Sequence, residues 1–409
     1  MRDKRSKQVS AIAIITAICV MGDSMLYIVL PIYWKWFGLT ALWQVGILLS
    51  VNRLIRLPIN PIIGWFYQRF NRKGILFFSV LLAAFSTYTY GAIHDFMALV
   101  IARALWGVSW SFLRLGAFLA ILDLADDRSR GRFLGHYNGL WRLGSLVGML
   151  AGGILADGLG IPFMTNLFAG VALIGVPLIW LAVPKAQAKP LYRDMNNQPT
   201  TKFWKNRYAL GALSTGLILS MVYTGILTST LSRFIEISGM QAIDIFGWTI
   251  AAASISGGLQ ALRWIWEPFL APLFGKWSDG KKGRLPFLII GCFASGLLFF
   301  VMAFPVGVPQ ALICVLLIQL GATMLTTLSD ALASDAASMT SKVALMTAYT
   351  VTVDLGASLG PSLAYFIIDW SNIGVAFGFT AFLLFLTGGG WFIHQHFSRG
   401  RDLDSGQAI

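Results

Sequence analysis

The sequence predicts an all-α polytopic membrane protein: twelve transmembrane helices in two six-helix bundles, related by a pseudo-two-fold axis along the membrane normal. Three observations carry this. The chain has 409 residues, 56% hydrophobic and 12% charged, with a mean hydropathy of +0.70; a soluble domain of this size needs a far more polar exterior. Apolar runs near or above the spanning threshold of about 18 residues recur along the whole length. The chain also repeats itself. Arg142-Leu143-Gly144, Gly148 and Asp157 align without a gap over sixteen positions with Asp354-Leu355-Gly356, Gly360 and Asp369, at an offset of 212, and Pro61-x-x-Gly64 matches Pro272-x-x-Gly275 at 211. Halves that run in the same direction are parallel repeats, the construction of proteins that open alternately to either side of a membrane.

The elements follow in order. The first span, 9–36, begins after a basic segment (Arg2, Lys4, Arg5, Lys7) and continues past any small-residue cleavage site, so it reads as an uncleaved span. Spans at 41–66, 74–94, 97–124, 132–158 and 161–183 complete an N-terminal bundle, residues 1–183. Residues 184–207 hold Lys-Pro, Asn-Asn-Gln-Pro and scattered charges, the composition of a flexible cytoplasmic linker. Spans at 206–236, 241–277, 285–304, 309–337, 343–369 and 372–396 form the C-terminal bundle, residues 208–409. Several exceed the minimum of about 20 residues, which implies tilt or extension beyond the hydrocarbon.

The net charge of +13 gives topology rather than a nucleic-acid partner. Basic residues cluster at the N-terminus, at Arg69 to Lys73, Arg128 to Arg132, Lys185 to Arg207, Lys276 to Arg284, and at Arg399 and Arg401. By the positive-inside rule these segments are cytoplasmic, so both termini lie inside a bacterial-style cytoplasmic membrane. The three cysteines (Cys19, Cys292, Cys314) sit singly in apolar runs and read as packing residues. The four histidines (His94, His136, His394, His396) fall near span ends without metal spacing, so no metal and no cofactor is expected.

The arrangement resembles the major facilitator superfamily over essentially the whole chain. Its signature loop, G-x-x-x-D-x-x-x-R/K-x-G-R/K, is matched by Gly64-Trp-Phe-Tyr-Gln68-Arg69-Phe-Asn-Arg72-Lys73-Gly74, with Gln68 in place of the acid. The second copy, Gly275-Lys-Trp-Ser-Asp279-Gly280-Lys281-Lys282-Gly283-Arg284, keeps the acid. The resemblance implies a cytoplasmic latch at Gly64, Gln68 and Arg72, and again at Gly275, Asp279 and Arg284, with the first copy uncharged at its acidic position. Arg103-x-x-x-Gly107 resembles a motif whose arginine accompanies proton coupling. Gly144-x-x-x-Gly148-x-x-x-Gly152 resembles the antiporter motif with Met149 for its proline, and Gly356-x-x-x-Gly360-Pro361 echoes it with the proline present. Glycine at every fourth residue allows close helix approach, either as static packing or as a sliding interface. Gly275 to Lys281 also fits most of a phosphate-loop pattern, but Lys282 occupies the magnesium-binding position and no strand is read before it, which argues against an ATP-driven pump.

Charges inside the spans mark function, because a mid-bilayer Arg costs about +2.5 to +3.5 kcal/mol on insertion scales. Arg53, Arg56, Arg103, Arg114 and Arg142 share the first half with Asp23 as its one well-internal acid. The excess is suited to an anionic group, for which the guanidinium fork is matched; the alternatives are carbonyl capping, snorkelling, or pairing with Asp354 and Glu267 across the halves. Arg53, Arg56, Arg114, Arg142, Trp110 and Trp141 are therefore the substrate-binding candidates. Asp23, Asp354, Glu267 and Arg103 are the proton-coupling candidates, with static ion pairing as the alternative for each acid. Arg142 and Asp354 are repeat mates of opposite sign, which suits a charge-pair gate. Arg233 with Glu236, and Arg263 with Glu267, have the spacing of local pairs.

The expectation is a non-enzymatic secondary transporter, a monomer in the lipid bilayer. It would use the proton gradient to move a small organic or amphipathic molecule, anionic ones included, outward. A proton symporter or uniporter importing an organic anion, and a transporter of lipid headgroups, stand as alternatives, with a non-transporting membrane sensor last.

Overall fold

The computed structural model describes residues 2–124, 130–183, 204, 206–239, 242–245, 248–279, 283–340 and 342–404, and these are almost wholly helical. The first half contains α1 (Arg2–Ser24), α2 (Leu26–Ile32), α3 (Leu42–Leu54), α4 (Arg56–Arg69), α5 (Arg72–Ala92), α6 (Phe96–Leu124), α7 (Arg130–Leu159), α8 (Ile161–Leu173) and α9 (Gly175–Ala182). The second contains α10 (Arg207–Leu219), a π-helical stretch Ser220–Leu227, and α11 (Thr228–Ile237). Strands β1 (Ala242–Ile245) and β2 (Trp248–Ala251) follow, then α12 (Ala252–Ser278), α13 (Arg284–Met302), α14 (Val308–Ser338), α15 (Lys342–Trp370) and α16 (Ile373–Asp404). Nearly all of the linker expected at 184–207 lies outside the described residues.

Ten described helical segments are long and apolar enough to cross a membrane: Arg5–Ile32, Arg72–Ala92, Phe96–Ile121, Arg132–Leu159, Ile161–Leu181, Arg207–Ile237, Arg284–Met302, Val308–Ser338, Ala344–Trp370 and Ile373–His396. The protein is a multi-pass membrane protein. Residues 42–69 and α12, read from sequence as spans, are not among the ten; they carry Arg53 and Arg56, and Arg263 and Glu267, along their length.

Two interruptions have a common cause. Helix α3 stops at Leu54 and α8 at Leu173, each four residues before a proline, Pro58 and Pro177. A proline has no N–H to give the carbonyl one turn back and its ring crowds that carbonyl, so each expected continuous span is two helices. The π-helical stretch sits where Gly225 meets Gly360 and where Ser220 Oγ donates to the Val353 carbonyl at 2.7 Å. Such π-helical turns are rare and interrupt the regular α-helical ladder.

The span expected at 241–277 needs correction. Its first residues form an antiparallel pair, with Ala242 opposite Ala251 and Ile245 opposite Trp248, and the helix starts at Ala252. The run Ile243, Ile245, Thr249 and Ile250 is β-branched, a composition that favours a pleated pair once the chain can double back.

By packing, the chain forms two compact units, residues 1–197 with 228–264 and residues 198–227 with 265–409. In the first, α1 lies along α7, α5 packs on α6 and α8, and Ile12, Ile15, Val80, Leu113, Ala117 and Ile121 are buried at the centre. In the second, α13 packs against α16 and α14, and the π-helical stretch lies on α15, where Met221, Ile226 and Ala364 are buried together. Lipid tails are as apolar as these side chains, so close packing and interhelical hydrogen bonds, rather than escape from water, decide which helices meet.

Candidate functional site

The expected glycine motifs place the helices on which the charged residues sit. A Cβ on Gly144 or Gly148 would run into the backbone of Ala17 or Met21, and one on Gly152 would strike Met25. Helix α7 therefore lies directly on α1 and its continuation. The second half repeats this, with Gly356 against Leu217 and Gly360 against Met221. Each motif thus seats a helix against the first helix of its own half of the sequence.

Arg103-x-x-x-Gly107 acquires a geometric meaning. A Cβ on Gly107 would collide with the Asn52 carbonyl, so α6 touches the α3 backbone there. Four residues earlier on each helix, Arg103 Nε donates to the Leu48 carbonyl at 2.8 Å. The arginine and the glycine together dock α6 on α3.

That docking delivers the Arg103 guanidinium to Asp23. Arg103 Nη1 forms a close ion pair with Asp23 Oδ1, and the same oxygen accepts from Asn52 Nδ2 at 3.0 Å. Arg103 is 1% exposed and Asp23 6%. The guanidinium carbon lies 6.0 Å from the Tyr27 ring centre and 5.9 Å from that of Tyr90. Two of the four proton-coupling candidates are therefore one buried pair; Asp354 and Glu267 are half-buried on α15 and α12.

Arg53 and Arg56 separate. Ile55 divides α3 from α4, and the two side chains find different neighbours. Arg53 Nε donates to Tyr27 Oη at 3.4 Å, joining the edge of the Asp23 cluster. Arg56 is buried over two indoles, 5.8 Å from the Trp106 ring and 5.4 Å from Trp110. Trp106 and Trp110 stack at 5.8 Å one turn apart, and Trp141 meets Trp110 edge-on at 5.1 Å. Trp141 Nε1 donates to Asn138 Oδ1 at 3.0 Å. Arg56, Trp110 and Trp141 are thus brought together, with Trp106 completing the group. Arg114 lies 5.9 Å from the Phe118 ring, and Arg142, exposed, 5.5 Å from Trp264.

The residues expected to form the two latches pair unequally. Arg284 donates to Asp279 at 2.8 Å and to the Ala331 carbonyl at 2.7 Å, and pairs with Asp335 at 2.9 Å. Gly283 supports this with φ of 70°, a conformation costly for any side-chain-bearing residue. In the first copy Arg72 is 1% exposed and pairs with Asp123 at 2.7 Å, while its Nε and Nη1 have no hydrogen-bond partner among the described residues. Asp123 is the repeat mate of Asp335 at the offset of 212, and Gln68, exposed, is the mate of Asp279. The first latch thus keeps one acid of two. Gly64 and Gly275 face open space.

One node carried no assigned role in the sequence. Asp157 Oδ1 accepts from Tyr33 Oη at 2.6 Å, and Oδ2 accepts from the Ser254 backbone N–H at 2.9 Å and its hydroxyl at 2.6 Å. The carboxylate thereby satisfies an orphan N–H in the first turn of α12, a favourable place for negative charge. Beside it, Gly153 abuts the Ala253 carbonyl and Gly257 the Met149 carbonyl. Burial, with Asp157 as its acceptor, pushes the Tyr33 hydroxyl pKa up, so it stays a donor. The signal was Asp157's place in the repeat. Asn52, Tyr27 and Tyr90 carried no comparable signal, since each is unremarked until α2, α3, α5 and α6 converge. Among the described residues, no group of three or more His, Cys, Asp or Glu is placed to hold a metal.

The described residues form a membrane-spanning helical protein that holds a buried ion pair between helices and an arginine over two tryptophans. The sequence pattern of the Major Facilitator Superfamily matches residues 12–266, and the chain belongs to that family. It is 23% identical over 259 residues to the quinolone resistance protein NorA of Staphylococcus aureus, a match covering 62% of this chain and 64% of NorA. It is 23% identical over 390 residues to an uncharacterized MFS-type transporter, MJ1560, of Methanocaldococcus jannaschii, covering 94% of this chain and 97% of the relative. In fold it is similar to a bacterial homolog of the human lysosomal transporter Spinster, crystallised inward-facing and unoccupied, with a TM-score of 0.73, 14% identity, and coverage of 96% and 97%.

Proposed function

We propose that the chain is a proton-coupled exporter of small amphipathic molecules, acting as a monomer by alternating access. In this reading the ten apolar spans, with residues 42–69 and α12, make twelve helices in two six-helix bundles, joined by the 184–207 linker. Both termini are cytoplasmic, and the two bundles rock around a central site. The observation that carries the reading is the buried Asp23–Arg103 pair, set one turn along α6 from the Arg56–Trp106–Trp110 group. A buried pair is costly to desolvate and is kept where its making and breaking are used. Protonation of Asp23 would release Arg103 and free α6 against α3, while Arg56 and the indoles receive an apolar molecule with an anionic group. The likeness to a quinolone resistance protein supports outward movement of an amphiphile.

The test uses purified protein in liposomes holding a pH-sensitive dye, with a proton gradient imposed and organic anions, cations and amphiphiles added in turn. Proton flux triggered by one compound class and lost in Asp23→Asn, with passive exchange retained, is the expected result. Normal pH-driven accumulation by Asp23→Asn would overturn the role of Asp23. The cluster of cationic side chains also supports an organic-anion symporter, which would move proton and compound in the same direction rather than in opposite ones.

A further inference from the structure

We propose that the groove between α10 and α16 is a binding site for one anionic phospholipid, with Arg207 and His394 holding its phosphodiester and an acyl chain lying along Ile218 and Leu386. The groove has a volume of about 330 Å³. Its floor is Trp391, 5% exposed, whose Nε1 donates to Thr215 Oγ1 at 2.7 Å. A Cβ on Gly211 would stand 3.0 Å from the indole, so the ring packs closely against α10 there. The rings of Tyr208 and His394 pack edge-on and near it, at 5.4 and 5.5 Å.

The chemistry of the groove changes along its length. Arg207 opens one membrane span and His394 lies close to the end of another, Ile373–His396, so both stand at one boundary of the bilayer. Among the described residues, none lining the groove is acidic. Away from that end the groove is lined by Ile218 and Leu386, the latter 53% exposed, with Ser214, Thr215 and Thr387, whose hydroxyls each donate to a carbonyl of their own helix and so leave little polar demand on an occupant. The Arg207 guanidinium and a His394 ring nitrogen at the headgroup level, beside a furrow whose hydroxyls are already bonded, match an anionic head joined to an acyl chain. A soluble anion would use only the boundary end; a zwitterionic lipid would bring its own cation against Arg207. The site stands on the membrane-spanning fold and does not depend on which substrate is carried.

The delipidated full-length protein is titrated with phosphatidylglycerol, phosphatidylcholine, or inorganic phosphate and followed by native mass spectrometry. One phosphatidylglycerol is retained per chain, phosphatidylcholine binds more weakly, and millimolar phosphate does not displace the lipid. Arg207→Gln weakens retention about fivefold, the value of one basic side chain at a lipid surface. Gly390→Leu is the second variant: a Cβ there meets nothing within 4 Å, so the added side chain fills the groove and leaves the fold and thermal midpoint unchanged. It abolishes retention. Undiminished phosphatidylglycerol binding by Gly390→Leu overturns the proposal, as does equal affinity for phosphatidylcholine. Displacement by phosphate alone would mean a free-anion site instead. Should Arg207→Gln fail to fold, Gly390→Leu decides.

Discussion

Asp23→Asn should destabilise the protein through Arg103 rather than through Asp23. The aspartate accepts from Arg103 Nη1 and Asn52 Nδ2, and the arginine is 1% exposed, with no water-facing route for its charge. Removing one partner of a buried pair typically costs about 3–5 kcal/mol, because the survivor is left uncompensated. Asparagine keeps an oxygen of nearly the same shape, so Arg103 retains a neutral acceptor and the loss falls near about 3 kcal/mol. Arg103→Met removes the charge but strands the carboxylate, at a similar cost. The double variant strands neither, and should recover about 2 kcal/mol relative to the sum of the single losses, within the range of couplings between contacting residues. Unfolding free energies of the four proteins, measured in one mild detergent, give that coupling directly. Strictly additive single effects would refute the pairing.

Gln68→Asp should supply Arg72 with the second acid that Asp279 gives Arg284, raising stability by up to about 1 kcal/mol, while Asp279→Gln lowers it similarly; both are read from thermal midpoints. Gly148→Val should cost about 1–3 kcal/mol by driving α7 off Met21, whereas Gly64→Ala, with open space around its Cβ, should be neutral or gain about 0.5–1 kcal/mol. Trp110→Leu and Arg56→Gln should each weaken binding of an anionic amphiphile, by about 0.5–2 kcal/mol, measured by tryptophan quenching. The Tyr33 pKa is raised in the folded state above its ordinary value of 10.0, so its contribution is complete below pH 10 and is lost as pH rises beyond it. The thermal midpoint should therefore be flat through neutral pH and fall above pH 10, less steeply in Tyr33→Phe.

Much of the fold was legible in the linear chain because bilayer thickness acts locally. A helix must satisfy its own backbone in lipid, so apolar runs mark spans without knowledge of neighbours. The repeat at an offset of 212 anticipated that Gly144 and Gly148 would act as Gly356 and Gly360 do, and each pair seats its helix on the first helix of its half. Proline also acts locally: the interruptions before Pro58 and Pro177 follow from a missing N–H. The strand pair at 242–251 escaped because hydropathy cannot distinguish a β-branched apolar run in a hairpin from one in a helix.

The partners of the charges required the tertiary structure. Asp23, Asn52, Tyr90 and Arg103 lie on four different helices, and no spacing in the chain foretells that α6 docks on α3 with Arg103 aimed at Asp23. The sequence placed Arg53 and Arg56 one turn apart, yet the break at Ile55 sends one to Tyr27 and the other to two indoles. Gln68 announced a missing acid, but only packing showed that Arg72 still keeps Asp123, the mate of the Asp335 that pairs with Arg284 alongside Asp279. Composition, repeats and proline positions determined where the helices run, because those constraints act between residues a turn apart. Which buried charge meets which was decided by contacts between distant helices, where a single glycine sets the approach and the approach sets the pair.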